Sequence, residues 1–400
     1  MADVTIDASC NIYMNTQVDK AGPVWISTSV GYVFYIDSTP NLVYRKTTDG
    51  GNTWSAAVTI SAVTIPATKV SVWFDKWTTG DTGTKIYISW ICYATNGACF
   101  RTLDTATDTF VAAAISVYTT VYVDSTNDWR SRSISITKSR GGNLYLKFDL
   151  SSLAAGKRFY RSTDGGVNWT SRTNYTTTSY VDNQRVFPAN LADSNDIWCL
   201  SSADDGEYDF DLLTYDDSAD SWSAATINDN VRGHNSYNNF WDGAIRQSDG
   251  HLICAVWNMR DDAAADLLCY DITNEGTITA KTNVITNLAE SVAAAVGVTT
   301  GGDIYVGYLS GTAWGSAIAA KYKKSTDGGT TWGTAVVQQA DAEADMRGVW
   351  IDSLVTSTSM VWWNYTTADL MCPTVVLPAT SSPDHAIARG IRRGIGRGIG

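Results

Sequence analysis

Most of the side chains in this sequence that could do chemistry lie between residues 129 and 347, and arginine is the commonest among them. They are Trp129, Arg130, Arg132, Arg185, Glu207, Arg232, His234, Trp241, Arg260 and Arg347, with Tyr237, Asp242 and Asp261 beside them. A guanidinium group can hold a ligand carboxylate through two parallel hydrogen bonds, and an aromatic ring can stack on a sugar. Such arginines also serve as solvated loop charges or ion pairs, and such tryptophans as packing. We favour those uses for the individual residues and keep the set as a candidate ligand-binding face.

Metal and cofactor chemistry is not indicated by the sequence. The seven cysteines form no C-x-x-C pair and the three histidines are scattered, so the ligand spacing of a zinc site is absent. Residues 204–207 are acidic but lack the dense alternation of oxygen ligands found in a calcium loop. Cys254 and Cys269 could lie on adjacent strands, although an odd number of cysteines leaves at least one thiol free. We therefore predict no metal and no cofactor, and expect the cysteines mainly as small buried side chains.

The composition indicates an all-β protein. Of 41 acidic residues only Glu207, Glu275, Glu290 and Glu343 are glutamate, and the others are aspartate, which favours turns over helices. Aromatic residues make up 11% of the chain and charged residues only 18%, a balance that suits short, half-buried strands. Few helices are expected.

Charge and hydropathy limit which partners we expect for the protein and where we expect it to be located. A net charge of -12 and a pI near 4.6 argue against nucleic acid as a partner of the folded body. No apolar run approaches about 18 residues, so we expect no membrane span. The first residues lack the basic and apolar regions of a secretory signal. We expect an extracellular or virion-associated protein, whose signal was removed or which needs none.

One short motif occurs three times along the chain. Its copies are TTDGGNTW at 47–54, STDGGVNW at 162–169 and STDGGTTW at 325–332, and we call these segments the DGG turns. The hydroxyl and the Asp can bond backbone N–H groups of a tight turn, while the glycines supply positive φ. The Trp then begins the next strand and is expected to be largely buried. The residues to which we assign this structural role are Asp49, Gly51, Trp54, Asp164, Gly166, Trp169, Asp327, Gly329 and Trp332.

The motif S/T-x-D-G-G-x-x-W resembles the Asp box, or BNR repeat, of sialidase-like β-propellers. In that family the box lies on the face opposite the active site, so the resemblance implies a fold and not a chemistry. Weaker copies near Asp104, Asp216 and Asp271 bring the spacing between turns to about 55 residues, which suits a four-stranded propeller blade.

The sequence therefore predicts an all-β propeller over residues 1–379. Six units of four strands are followed by three strands between residues 348 and 376 that have no fourth. The strands near residues 4–6 and 11–14 belong to no unit, so we expect this N-terminal stretch to complete the last blade and close the ring. The count is then seven blades, and six, the number in sialidases, is the alternative. Residues 380–400 are a separate Gly/Arg/Ile-rich tail.

The resemblance does not extend to the catalytic residues. Sialidases clamp a carboxylate with three arginines, and they use a Tyr nucleophile polarised by Glu and an Asp acid/base. Their first arginine lies in an F/Y-R-I-P motif before the first Asp box, but no arginine precedes Arg45 here. The nearest similar segment, Arg185 to Pro188, has an extra residue and falls in the middle of the chain. We assign no catalytic residue and predict a non-catalytic binding or structural module, such as a phage virion component that recognises surface glycans or partner proteins. A sialidase-like glycoside hydrolase is the alternative.

The C-terminal tail combines apolar and basic residues in a regular pattern. Isoleucine recurs every four residues, with arginines between, and the residues are Ile387, Arg389, Ile391, Arg392, Arg393, Ile395, Arg397 and Ile399. The glycines of the tail rule out a stable free helix. A disordered segment needs no isoleucine, and an arm for nucleic acid would need only the arginines. We expect this tail to dock on a partner protein or on another copy of the chain.

Overall fold

Short runs of β-branched and aromatic residues between Asp- and Gly-rich turns form the strands of this protein. The computed structural model describes residues 3–11, 18–20, 22–61, 67–92, 97–119, 133–149, 157–175, 181–203, 209–229, 231, 240–258, 265–288, 293–310, 318–339, 346–356, 360–364 and 366–373. No helix in these ranges is long and apolar enough to cross a membrane. The tail at 380–400 lies outside them, so its separate character stays a prediction.

The strands are short and follow one another closely. In chain order they begin with β1 (Asp3–Asp7), β2 (Val18–Lys20), β3 (Val24–Trp25), β4 (Gly31–Ile36), β5 (Leu42–Thr47), β6 (Val58–Ser61), β7 (Ala67–Phe74), β8 (Lys85–Cys92), β9 (Gly97–Asp104), β10 (Thr109–Phe110), β11 (Ile115–Tyr118), β12 (Ile134–Lys138), β13 (Leu144–Asp149), β14 (Lys157–Ser162), β15 (Thr170–Ser171) and β16 (Val181–Pro188). They continue with β17 (Ile197–Ala203), β18 (Phe210–Asp216), β19 (Ser221–Asn228), β20 (Trp241–Ile245), β21 (Leu252–Asn258), β22 (Ala265–Ile272), β23 (Ile278–Ala280), β24 (Ile285–Leu288), β25 (Ala294–Val298), β26 (Ile304–Ser310), β27 (Ala319–Ser325), β28 (Val336–Val337), β29 (Met346–Trp350), β30 (Val361–Asn364) and β31 (Asp369–Pro373). One 3₁₀ turn, Asp75–Trp77, follows β7.

These strands form seven antiparallel blades arranged in a ring, and the count of seven is confirmed. From the inner to the outer strand, the blades are β3-β4-β5-β6, β7-β8-β9-β10, β12-β13-β14-β15, β16-β17-β18-β19, β20-β21-β22-β23, β25-β26-β27-β28 and β29-β30-β31-β1. We number them blades 1 to 7 in that order. Two further strands extend an outer edge: β11 pairs with β9 and β24 pairs with β22.

The hydrophobic core lies between neighbouring blades. The second strands β4 and β13 are buried along their whole length, and so are the inner strands β20 and β25, whereas the outer strands are largely exposed. Aromatic rings fill the seams: the rings of Phe159 in blade 3 and Tyr215 in blade 4 lie 4.8 Å apart at 79°. Edge-to-face pairs of this kind add to the free energy of burying the rings.

The N-terminal strand closes the ring, as predicted. β1 pairs antiparallel with β31, with Val4 opposite Cys372, so the first strand of the chain is the outer strand of the last blade. Of the second predicted stretch, at 11–14, the structure describes only Asn11, which donates its backbone N–H to Ile36 O of blade 1 at 3.0 Å. Residues 12–17 lie outside the described ranges.

Asp7, at the end of β1, couples the closing strand to blade 1. Its Oδ2 accepts hydrogen bonds from the Tyr35 hydroxyl at 2.5 Å and from Arg45 Nη2 at 2.9 Å. Asp7→Ala should lower the free energy of unfolding by about 1–3 kcal/mol, because it leaves these half-buried and buried donors without their acceptor. Urea unfolding monitored by tryptophan fluorescence measures the change. Thr5→Ala, at an exposed position of the same strand, is the control and should have little effect. Equal losses for the two variants would argue against this coupling.

Candidate functional site on the propeller axis

The alternation of strand direction gives the ring two distinct faces. The DGG turns join the third strand of a blade to its outer strand, and they share one end with the connections between first and second strands. We call this end the DGG face. The connections between blades, and those between second and third strands, lie at the opposite face. Of the residues predicted for a ligand-binding face, Trp129, Arg130, Arg132, Glu207, Arg232, His234, Tyr237, Arg260 and Asp261 lie outside the described residues, as does the side chain of Arg347.

Three of the predicted residues are described, and they form one buried cluster. Arg185 on β16 donates from Nη1 to Asp242 Oδ1 on β20 at 2.6 Å. Its guanidinium carbon lies 4.8 Å from the centre of the Trp241 ring, a cation–π distance. Arg185 is 4% exposed and Trp241 0%, with the indole N–H bonded to Ser202 Oγ. These groups link blades 4 and 5 inside the ring, so here the ion-pair and packing interpretation applies.

A lysine that the sequence analysis did not single out completes this cluster from across the axis. β2 runs parallel to β7 along the inner edge of blade 2, and Lys20 at its end extends to blade 5. Lys20 Nζ lies 2.7 Å from Asp242 Oδ2. The same oxygen accepts the backbone N–H of Val296 in blade 6 at 2.9 Å. Desolvation lowers the pKa of Lys20, although its partner Asp242 opposes that effect.

A second polar layer lies at the DGG end of the axis. Asp352, just after β29, accepts the indole N–H of Trp77 at Oδ1 and the backbone N–H of Trp25 at Oδ2, both at 2.8 Å. Gln247 of blade 5 donates to the carbonyl of Trp77 at 3.1 Å. Burial raises the pKa of Asp352 to about 7, even though these N–H donors favour its ionised form. We call Lys20, Trp77, Arg185, Asp242, Gln247 and Asp352 the axial network.

Smaller side chains make similar links between other inner strands. Ser71 Oγ of blade 2 accepts the backbone N–H of Ile136 in blade 3, and Ser135 Oγ of blade 3 accepts that of Val186 in blade 4. Each inner strand except β7, which pairs with β2, has an unpaired edge towards the axis, and its buried N–H groups need acceptors. A polar side chain of the preceding blade supplies them, as Asp242 does for blade 6.

The three DGG turns have nearly identical hydrogen bonds. In each, the Ser or Thr hydroxyl donates to the Asp, and the second Gly donates its N–H to that hydroxyl at 2.8–2.9 Å. The Asp also accepts the N–H of the fourth residue after it at 2.9 Å. Bonds from Asn168 and Thr331 lower the pKa of Asp164 and Asp327 to about 2. The carboxylates are thus used inside their own turns.

The tryptophans of the DGG turns are intermediate in exposure and pack against the hydrophobic core without being fully buried. The prediction that each Trp begins the next strand is wrong: Trp169 directly precedes β15, and Trp54 and Trp332 lie four residues before β6 and β28. The Trp169 ring meets Phe100 of blade 2 at 5.2 Å, and Trp332 Nε1 donates to Thr282 O of blade 5 at 2.9 Å. These contacts tie each turn to the preceding blade.

One further charged cluster, missed from the sequence, lies at the DGG face of blade 5. Asp271 accepts the His251 Nδ1–H at 2.7 Å and a hydrogen bond from Arg246 Nη2 at 3.0 Å, and Asp249 pairs with the same arginine. Only the D-G-H hairpin signalled it, because Asp271 comes from another strand. Within the described ranges no group of three or more acidic, His or Cys side chains is arranged to hold a metal. Cys254 and Cys269, on paired strands, are free thiols.

Asp352 should give the protein a pH dependence of known sign. Its folded-state pKa near 7 is raised from the ordinary 3.8, so the folded chain holds this proton more tightly than the unfolded chain. The free energy of unfolding should therefore fall as pH rises from about 4 to about 7, by up to about 1.4 kcal/mol per unit. Urea titrations at several pH values should show this slope for the wild type and a smaller one for Asp352→Asn. The exposed Asp229→Asn is the control, and a slope unchanged in Asp352→Asn would contradict the assignment.

The DGG turns should respond to pH in the opposite direction. Because the pKa values of Asp164 and Asp327 are lowered, their contribution to stability is present above about pH 4 and is lost as pH falls towards 2. The variant Asp164→Ala/Asp327→Ala should melt at a lower temperature than wild type at pH 7, and the gap should narrow near pH 2. Thermal unfolding followed by circular dichroism tests this, with Asp229→Ala as control. A constant gap would mean that the ionised carboxylates do not stabilise the turns.

Comparison with known proteins identifies the fold and no family. No protein-family model matches the chain, and no curated protein matches it. Among solved structures, a polysaccharide lyase described as an ulvan lyase is similar, with a TM-score of 0.56 and 10% identity over 93% of this chain and 94% of that one. A second structure of such a lyase is bound to -[GlcA(1-4)Rha3S]- at the same score. AofleA from Arthrobotrys oligospora gives a TM-score of 0.49 with 7% identity, covering 82% of this chain and 86% of that one. At these identities the chain shares the β-propeller fold with these proteins.

Proposed function

We propose that this protein is a non-catalytic, sialidase-like Asp-box propeller that binds a glycan on the face opposite the DGG turns. The observation that carries the proposal is the state of Arg185. A catalytic arginine clamp needs guanidinium N–H groups that are free for a substrate carboxylate. Arg185 is buried and already bonded to Asp242, so it serves the axis of the ring.

The geometry of the DGG turns supports the Asp-box part of the proposal. Three separate turns repeat the same hydroxyl, carboxylate and glycine bonds, and all three have both glycines at positive φ. Their carboxylates and N–H groups satisfy one another within the turn. A face built in this way serves structure, which leaves the opposite face for a ligand.

The fold neighbour supports a glycan as that ligand. The ulvan lyase has a TM-score of 0.56 to this chain, and one of its structures is bound to a saccharide repeat. The sequence assigns to the opposite face a set rich in arginine and tryptophan, including Trp129, Arg130 and Arg132. Such groups suit a sugar ring with attached acidic groups, through stacking and charged hydrogen bonds.

We also propose that the protein works outside the cell or in a virion, as part of a larger assembly. The support is the sequence of the tail, residues 380–400, which brings isoleucine and arginine to a chain whose net charge is -12. Arginine pairs readily with surface carboxylates. In this proposal the tail joins the propeller to a partner protein or to another copy of itself.

A glycan-binding experiment tests the main proposal. The full-length protein should bind members of an immobilised glycan panel, and Trp129→Ala should weaken binding about tenfold because a stacking ring is lost. Arg130→Ala/Arg132→Ala should weaken binding to acidic glycans and leave neutral ones less affected. Val167→Ala, 70% exposed in a DGG turn, is the matched control and should bind as wild type does.

An activity screen separates binding from catalysis. The protein should leave fluorogenic glycosides, sialosides among them, and a uronate-containing polysaccharide unchanged. Turnover that is lost in Arg130→Ala/Arg132→Ala would establish an enzyme and overturn the non-catalytic proposal. Absence of binding to every glycan would overturn the ligand class.

A further inference from the structure

The outer strand of blade 4 differs from every other outer strand that the structure describes. β19 has eight residues, whereas the outer strands of the other blades have between two and five. It is the last strand of its sheet, paired on one side with β18. Ser221, Ser223 and residues 224–226 are exposed. A row of backbone N–H and C=O groups therefore faces outward along this edge.

The residues of β19 do nothing to protect that edge. Natural proteins usually prevent an exposed edge strand from pairing with another strand. They place lysine, another charged residue or proline on it, or keep the strand very short. β19 has the sequence SWSAATIN, with no charged residue and no proline. Charge appears only at its ends, where Asp220 precedes it and the exposed Asp229 follows it. The edge thus has the character of a site that accepts another strand.

The C-terminal tail has the pattern of such a strand. In an extended chain alternate residues share one face. From residue 387 to 399 the odd positions read Ile, Arg, Ile, Arg, Ile, Arg, Ile, and the even positions are Ala, Gly or Arg. One face would then alternate isoleucine with arginine, while the other has glycine at four of its six positions. Residues four apart would also share one face of a helix, but the glycines of the tail disfavour a helix, so an extended strand is the conformation we infer.

We propose that β19 binds the tail of a second copy of this chain as an added strand of blade 4. This rests on the assembly role proposed above and names its docking site. Main-chain hydrogen bonds would supply affinity, and side chains on one face would supply specificity. An antiparallel register that sets Arg397 beside Asp220 sets Ile395 beside Trp222 and Arg389 one residue from Asp229. In the parallel register that sets Arg389 beside Asp220, Ile391 lies beside Trp222. The half-buried Trp222 ring, packed on Phe159 at 5.0 Å, gives the isoleucine an apolar contact in both cases.

The position of the last described residue favours a second copy over the chain's own tail. The described chain ends at Pro373 in blade 7. Blades 4 and 7 are three apart in a ring of seven, the greatest separation that the ring allows. The tail of a neighbouring molecule meets no such constraint. Such contacts join unlike surfaces, so they can link many copies head to tail.

The mass of the full-length protein in solution tests the proposal. Sedimentation over a range of concentrations should show self-association for the wild type, weakened by added salt. Ala224→Lys/Thr226→Lys should lower the association constant about tenfold, because in either register one lysine would face Arg393 and the other would face an isoleucine of the incoming strand. Val336→Lys/Val337→Lys places the same charges on β28, the exposed outer strand of blade 6, and should associate as wild type does.

A charge exchange identifies the partner strand. Arg389→Glu/Arg393→Glu/Arg397→Glu should also weaken association, and combining it with Ala224→Lys/Thr226→Lys should restore much of it. A wild type that is monomeric throughout overturns both this inference and the assembly role. Self-association lost in the tail variant and kept in the β19 variant would overturn the β19 site alone. A monomer whose β19 amides exchange faster in the tail variant would put the chain's own tail on this edge and overturn the second-copy assignment.

Discussion

A carboxylate buried in a protein must be paired, and Asp242 meets this requirement with three groups from three other parts of the ring. Leaving such a charge without partners costs several kcal/mol, far more than its net gain when paired. Lys20 reaches it from across the axis, Arg185 from blade 4, and the Val296 N–H from blade 6. Each of these groups is held by the inner strand of a different part of the ring. Their positions are therefore mutually dependent, and the inner strands can adopt only one arrangement around the axis.

Different interactions stabilise the outer part of the ring. There the hydrogen bonds of the DGG turns are local, and contact with the preceding blade comes from aromatic and backbone groups such as Phe100 against Trp169. Thr282 and Gly329 likewise meet across the seam between blades 5 and 6. A blade has two apolar faces and cannot bury either one alone. Contacts at both the axis and the rim hold neighbouring blades face to face, and the seam between them stays dry.

The repeated DGG turn made the fold predictable, because its turn chemistry is local and its spacing sets the blade length. Closure by the first strand was also predictable, since a propeller leaves no strand unpaired. The axial network was not predictable. Lys20 lies 222 residues from Asp242, and nothing near it in sequence signals that partner. Arg185 and Trp241 were predicted for a ligand-binding face, but the structure buries both of them in inner strands, and one sequence does not reveal which face of an inner strand meets the axis. The alternation of isoleucine and arginine in the tail could be seen in the sequence, but the docking site that we propose for it could be named only once the open edge of β19 was known.

Two elements among the first twenty residues, β1 and Lys20, have partners in distant parts of the chain. β1 can pair only once β31 has been made, and Lys20 only once Asp242 has been made. The N-terminal segment emerges from the ribosome before either partner has been synthesised. Domains begin to fold as they emerge. Until residue 373 has been made, the nascent protein can only be an open arc, with its first strand unpaired and its growing end exposed. Completion of the ring is then a single late event in which β1 pairs with β31. A cell that makes this protein has to keep that arc from pairing with its neighbours throughout translation.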